Sequence, residues 1–108
     1  MPHEIAFAES VTSQLEALTA RQRAVVLEAI QKHLLEQPLL ETRNRKLLRP
    51  NPAAPWELRV REFRVFYEVQ ENDAEARQRT GMHGVVYVLA IGQKKGNVLR
   101  IGGKRIEL

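Results

Sequence analysis

Residues 55–69, PWELRVREFRVFYEV, constrain the fold more than any other stretch of this chain. Trp56, Leu58 and Val60 share one parity, and Phe63, Val65, Tyr67 and Val69 share the other. Side chains alternate between the faces of a strand, so a two-residue turn at Arg61-Glu62 merges the two sets into one apolar face, with a longer or bulged turn as the alternative. The pattern predicts an antiparallel hairpin in which Val60 pairs with Phe63 and Arg59 with Arg64. Two features run against it. Arg-Glu is poor turn chemistry, because tight hairpin turns favour Gly or Asn. Like charges directly opposite each other are also unfavourable in a sheet.

The rest of the chain supplies partners for that hairpin. HEIAFA reads as a short strand with Ile5 and Phe7 on one face. Val11, Leu15 and Leu18 follow at helical spacing. Thr19 with Gln22 fits a capping box, opening a second helix whose apolar face is Val26 or Leu27, Ile30 and Leu34, and which Pro38 ends. The proline-rich, basic segment 38–55 reads as an ordered surface loop. Residues 70–84 read as a long mobile loop, and VVYVLAI, 85–91, as a central strand. A turn is expected at Gly92–Gly96, with a short last strand at Val98–Ile101. The predicted fold is α+β: an N-terminal strand and helical hairpin packed on one face of a small, mainly antiparallel sheet, with residues 1–108 as one domain.

With helices on the Trp56/Leu58/Val65/Tyr67 face, the opposite face carries Glu57, Arg59, Arg61, Arg64, Phe66 and Glu68. Two readings of this face stand open. Glu57 and Glu68 can neutralise the arginines in a solvated lattice, or the guanidinium forks can bind phosphate. Lys94 and Lys95 leave the sheet at one end of this face, and Arg45, Lys46 and Arg49 of the loop can reach its rim. A net charge of +4 permits a polyanionic partner. The chain has no cysteine, which excludes disulfides and thiol catalysis. The histidines His3, His33 and His83 lack metal-ligand spacing, and IGGK at 101–104 lacks the context of a phosphate loop. Neither metal nor cofactor is expected. No apolar run approaches the roughly 20 residues of a membrane helix, and the N-terminus lacks signal-peptide character, so the expectation is a cytoplasmic protein with no membrane partner.

WELRVREFRVFYEV followed by VVYVLAIGQKKGNVLRIGG resembles the toxin subunits of bacterial RelE/ParE-type toxin–antitoxin pairs. The resemblance covers most of the chain and implies a cognate antitoxin that would carry any contact with operator DNA. RelE-like members cut messenger RNA on the ribosome without a metal and so inhibit translation; ParE-like members poison DNA gyrase. On the first pattern, Arg64, Arg59 and Lys94 are implied as catalytic residues, with Lys46, Arg49, Arg61, Lys95 and Arg100 binding substrate. Two positions depart from the nuclease pattern. Glu57 stands where a second lysine is usual, and Arg100 near where an aromatic falls. Tyr67 and Tyr87 read as strand packing, and no general acid or base stands out. A gyrase inhibitor, or a non-toxic member retained for antitoxin binding and autoregulation, is the alternative.

Overall fold

The computed structural model describes residues 1–108. The fold is α+β, with three helices and one curled, seven-stranded, mainly antiparallel sheet. Strand β1 (His3–Phe7) is followed by helices α1 (Glu9–Glu16) and α2 (Ala20–Leu34), then β2 (Arg45–Leu47), β3 (Trp56–Val60) and β4 (Phe63–Glu71). After α3 (Ala74–Thr80) come β5 (Gly84–Lys95), β6 (Val98–Ile101) and β7 (Lys104–Ile106). The sheet runs β2-β3-β4-β5-β6-β7, and β1 lies parallel to the first half of β5.

Local chemistry sets the helical hairpin. Thr19 Oγ1 accepts from the Gln22 amide at 3.1 Å while Gln22 Oε1 accepts from the Thr19 amide at 3.0 Å, the reciprocal box expected of these residues. Arg23 donates to the carbonyls of Leu15 (3.0 Å) and Leu18 (3.1 Å) at the end of α1, adding to the Leu18 amide bond that the Leu15 carbonyl already accepts. The apolar stripes Val11 and Val26/Ile30/Leu34 then pack on Trp56, Leu58, Val65, Tyr67, Val86 and Val88, forming the main core. Trp56 stacks on Tyr67 at 6.0 Å, and the Tyr67 hydroxyl donates to the Pro38 carbonyl at 2.6 Å. Burial pushes the Tyr67 phenol well above its ordinary pKa, so it holds its proton.

Four segments differ from the sequence expectation. Inside 38–55, Arg45–Leu47 forms β2 on the edge of β3. Arg45 is not a rim cation: it is buried, and its guanidinium donates to the His33 carbonyl at 2.8 Å and the Leu40 carbonyl at 2.9 Å, capping the end of α2. Residues 70–84 are not one loop, because Asp73 caps α3 through the Ala76 amide (2.8 Å) and Gly81 closes it at φ +72°. The β5 strand runs through Gly92 to Lys95, so the turn narrows to Gly96-Asn97, where Lys95 pairs with Val98. Beyond β6, Gly102-Gly103 makes a second tight turn into β7.

The face opposite the helices is not wholly solvated. Phe66 is fully buried there in a second, smaller core with Ala54 and Leu99, flanked by Leu48, Ala90, Ile101 and Ile106. The loop 48–54 from one side and the β6–β7 hairpin from the other close over it. No helix is long and apolar enough to cross a membrane.

Candidate phosphate-binding cleft

The β3–β4 register places Val60 opposite Phe63 and Arg59 opposite Arg64, as the alternation predicts. The unfavourable turn chemistry is visible: Arg61 sits at φ +56°, the only non-glycine residue in that region. Arg64 folds back over this turn, its Nη1 donating to the carbonyls of Arg61 (2.7 Å) and Phe63 (2.8 Å). The Lys94 amide donates to the Glu62 carbonyl at 2.7 Å, tying the turn to β5.

Glu57 resolves the charge conflict. Its side chain is 8% exposed, and Oε1 accepts from Arg59 Nε at 2.9 Å with Arg64 Nε 3.9 Å away. One mostly buried carboxylate therefore sits between two guanidiniums. The second oxygen, Oε2, accepts no hydrogen bond. Glu68 is exposed and forms no ion pair, so the lattice rests on Glu57 alone. The loop and hairpin that bury Phe66 also bury Glu57, its direct cross-strand neighbour. In such surroundings an uncompensated charge is costly, which makes the pairing a structural requirement.

Strand parity brings Lys94 to the same face as Arg64. Glu57, Arg64 and Lys94 line one cleft of about 230 Å³, together with Asn97, Leu99, Arg105 and the segment Ile106–Leu108. Of the residues expected to act on phosphate, Arg64 and Lys94 share this cleft. Arg59 lies beside it, half-exposed and tied to Glu57. The residues expected to bind substrate scatter. Lys46 sits opposite Glu57 on β2 without lining the cleft, Arg49 is exposed on the loop, and Arg61 is exposed at the turn. Lys95 alternates away from the cleft, and Arg100 lines a different cavity.

Sequence reasoning missed Arg105 and undervalued Glu57. A signal for Arg105 was present, because Gly-Gly between short apolar stretches is a hairpin signature. The histidines stand elsewhere. His3 and His83 face each other at 5.0 Å between ring centroids, near Glu71 and Arg77. Burial holds the His3 pKa below its ordinary value, as it does for His33 on α2. Tyr67 is locked in the main core, and Tyr87 pairs with Glu68 outside the cleft. What the cleft offers chemically is the Glu57 carboxylate with one free oxygen, the guanidiniums of Arg64 and Arg105, the Lys94 ammonium and a second, exposed carboxylate, Glu107. Comparison with known protein families, curated proteins and solved structures finds no match for this chain.

Proposed function

We propose that this chain is the toxin of a RelE/ParE-type toxin–antitoxin pair, acting in the cytoplasm as a metal-independent messenger RNA endonuclease on the ribosome. The observation that supports this reading is the convergence of Glu57, Arg64 and Lys94 on one cleft. In the reading, the scissile phosphate lies against Arg64 and Lys94, whose charges offset the extra negative charge of a five-coordinate phosphorus. The free Glu57 oxygen takes the proton of the ribose 2′-hydroxyl. The 2′-oxygen–phosphorus bond forms as the bond to the 5′-oxygen breaks, leaving a cyclic phosphate. Lys94, the exposed ammonium of the cleft, returns a proton to the departing 5′-oxygen. Glu57 thus takes the place of the usual second lysine, and Arg59 holds that carboxylate in position. A cognate antitoxin would restrain the protein by covering this basic face with an acidic segment.

The test is induction without the antitoxin, mapping transcript ends and gyrase cleavage complexes side by side. New 5′-hydroxyl ends in translated messages, lost in Arg64→Ala, are expected. Removing one such cation from a developing charge typically costs about 10²–10³ in rate. Intact transcripts with trapped gyrase–DNA complexes would return the gyrase-inhibitor reading. Neither effect, with growth unimpaired, would return the non-toxic, antitoxin-binding one.

A further inference from the structure

The larger cavity of the molecule, about 410 Å³, is not the one that holds Arg64 and Lys94. It opens between α1 and the β5–β6 strands. Phe63, Leu18 and Ile91 contribute its apolar walls, while Gln14, Gln93 and Arg100 are its principal polar side chains. The Gln14 carbonyl oxygen is fixed by the Ile91 amide at 2.7 Å, which leaves its NH₂ group with no partner. The Gln93 side chain makes no hydrogen bond with any protein group, and the Arg100 guanidinium makes only a long contact, 3.5 Å, to the Gly103 carbonyl. At the rim, the Gly102-Gly103 turn carries no side chain and an added Cβ at either residue would meet nothing within 4 Å, so the rim there is open.

The position of this cavity relative to the cleft gives it a meaning. Gln93 and Lys94 are consecutive residues of one strand and point to opposite faces. Gln93 lines the cavity and Lys94 lines the cleft. The β6–β7 hairpin spans the two, with Arg100 at the cavity and its cross-strand partner Arg105 at the cleft. Both arginines are exposed and neither forms a salt bridge. A backbone held at the cleft therefore meets a path of unpaired positive charge around the hairpin. That path ends at an apolar-walled hollow bearing unpaired amide groups. Amide side chains match the donor and acceptor edges of a base, a guanidinium plane stacks on its face, and single-stranded RNA is read through such splayed-out bases.

We infer that the cavity between α1 and the β5–β6 strands is a nucleotide subsite that receives the base neighbouring the scissile phosphate and sets the cut-site preference. Gln93 and the NH₂ of Gln14 read the base edge, and Arg100 holds its phosphate or stacks on the ring. The inference rests on the nuclease reading above.

The full chain is titrated with each of the four ribonucleoside 5′-monophosphates and with inorganic phosphate, followed by NMR of backbone and side-chain amides. Expected are saturable shifts at the Gln14 and Gln93 NH₂ groups and the Gly102 and Gly103 amides. One base should be preferred by about five- to a hundredfold, the discrimination a good base contact supplies. Gln93→Ala and Arg100→Ala should remove the preference, and both should alter the set of cut sites in messenger RNA. Shifts that are the same for all four nucleotides and for phosphate would overturn the subsite. So would RNA cleavage with an unchanged set of cut sites in both variants, an outcome that leaves the nuclease reading standing. Base-selective binding by a protein that leaves all RNA intact would end the nuclease reading and, with it, the role of the cavity in cut-site choice, leaving only a nucleotide-binding cavity.

Discussion

The β3–β4 and β6–β7 hairpins share a plan. Each has a two-residue turn, an apolar residue entering it, and two arginines directly opposite each other one rung further in. In the first, Val60–Phe63 flank Arg61-Glu62 and Arg59 faces Arg64; in the second, Ile101–Lys104 flank Gly102-Gly103 and Arg100 faces Arg105. Their environments differ. Arg64 is 15% exposed and shares a mostly buried carboxylate with the half-exposed Arg59, whereas Arg100 and Arg105 stand in solvent with no acidic partner. Water and salt screen the second pair, so it needs no internal counterion. The first pair lies where the sheet curls over Phe66, and charges there interact more strongly than in water. Glu57 is the response to that burial. The first pair, bridged by Glu57, is part of the framework and presents one cation, Arg64, to the cleft; the second pair is free to meet a partner's charge.

The sharpest way to break this comparison is to open the pair bridged by Glu57. Glu57→Gln keeps the volume and removes the charge, leaving Arg59 and Arg64 opposed without compensation. The amide oxygen can still accept from Arg59, so stability should fall by about 1 kcal/mol, the difference between a charge-assisted and a neutral hydrogen bond, measured by urea unfolding. Messenger RNA cleavage should fall by about 10²–10⁴-fold, the usual contribution of a general base, while the affinity for uncut RNA rises. Unchanged cleavage in a folded Glu57→Gln protein would make Glu57 a counterion only.

The exposed pair is tested by salt dependence. Each cation that contacts a single-stranded backbone contributes about 0.7 to the slope of log affinity against log salt. Arg100→Ala and Arg105→Ala should each lower that slope by roughly this amount, measured by RNA binding over a salt series. Arg59→Ala should leave it close to unchanged, because Arg59 is engaged with Glu57. Equal effects at all three positions would remove the distinction between the pairs.

The comparison also shows where the sequence was legible. The β3–β4 register followed from parity, because a one-residue slip would expose Trp56, Leu58, Val65 and Tyr67 together. The second helix followed from Thr19 and Gln22, whose side chains reach only each other's backbone. Three elements were not legible, for separate reasons. Helix α3 buries no residue, so it has no apolar period to read, and only its caps, Asp73 and Gly81, mark it. Strand β2 is too short to show alternation and lies in a proline-rich segment. The glycines before β7 were weighed as a phosphate loop and not as a turn, which hid Arg105. In the cleft, Arg64 and Lys94 were legible because parity alone orients them. The standing of Glu57 was not, because it depends on how closely the 48–54 loop and the β6–β7 hairpin close over Phe66, a tertiary fact with no local signature.

The smallest expected effect concerns the turns. Gly102 and Gly103 adopt φ +59° and +80° without a Cβ, whereas Arg61 holds φ +56° with one. The left-handed region costs a residue with a Cβ about 1–2 kcal/mol. Glycine removes that cost but adds roughly 0.5–1 kcal/mol of chain entropy to the unfolded state. The Arg61 side chain is exposed, so its loss removes little packing. The carbonyl of residue 61 remains available to Arg64 Nη1, so the brace over the turn survives. Arg61→Gly should therefore stabilise the protein by about 0.5–1 kcal/mol, a rise in melting temperature of ~2–6 °C by calorimetry. Arg61→Ala should give no such gain, since alanine keeps the Cβ. The matched change Gly103→Ala should lower the melting temperature, because it imposes on the second turn the strain the first already carries. If Arg61→Gly and Arg61→Ala behave alike, the brace from Arg64, and not the backbone conformation of Arg61, governs the stability of the first turn.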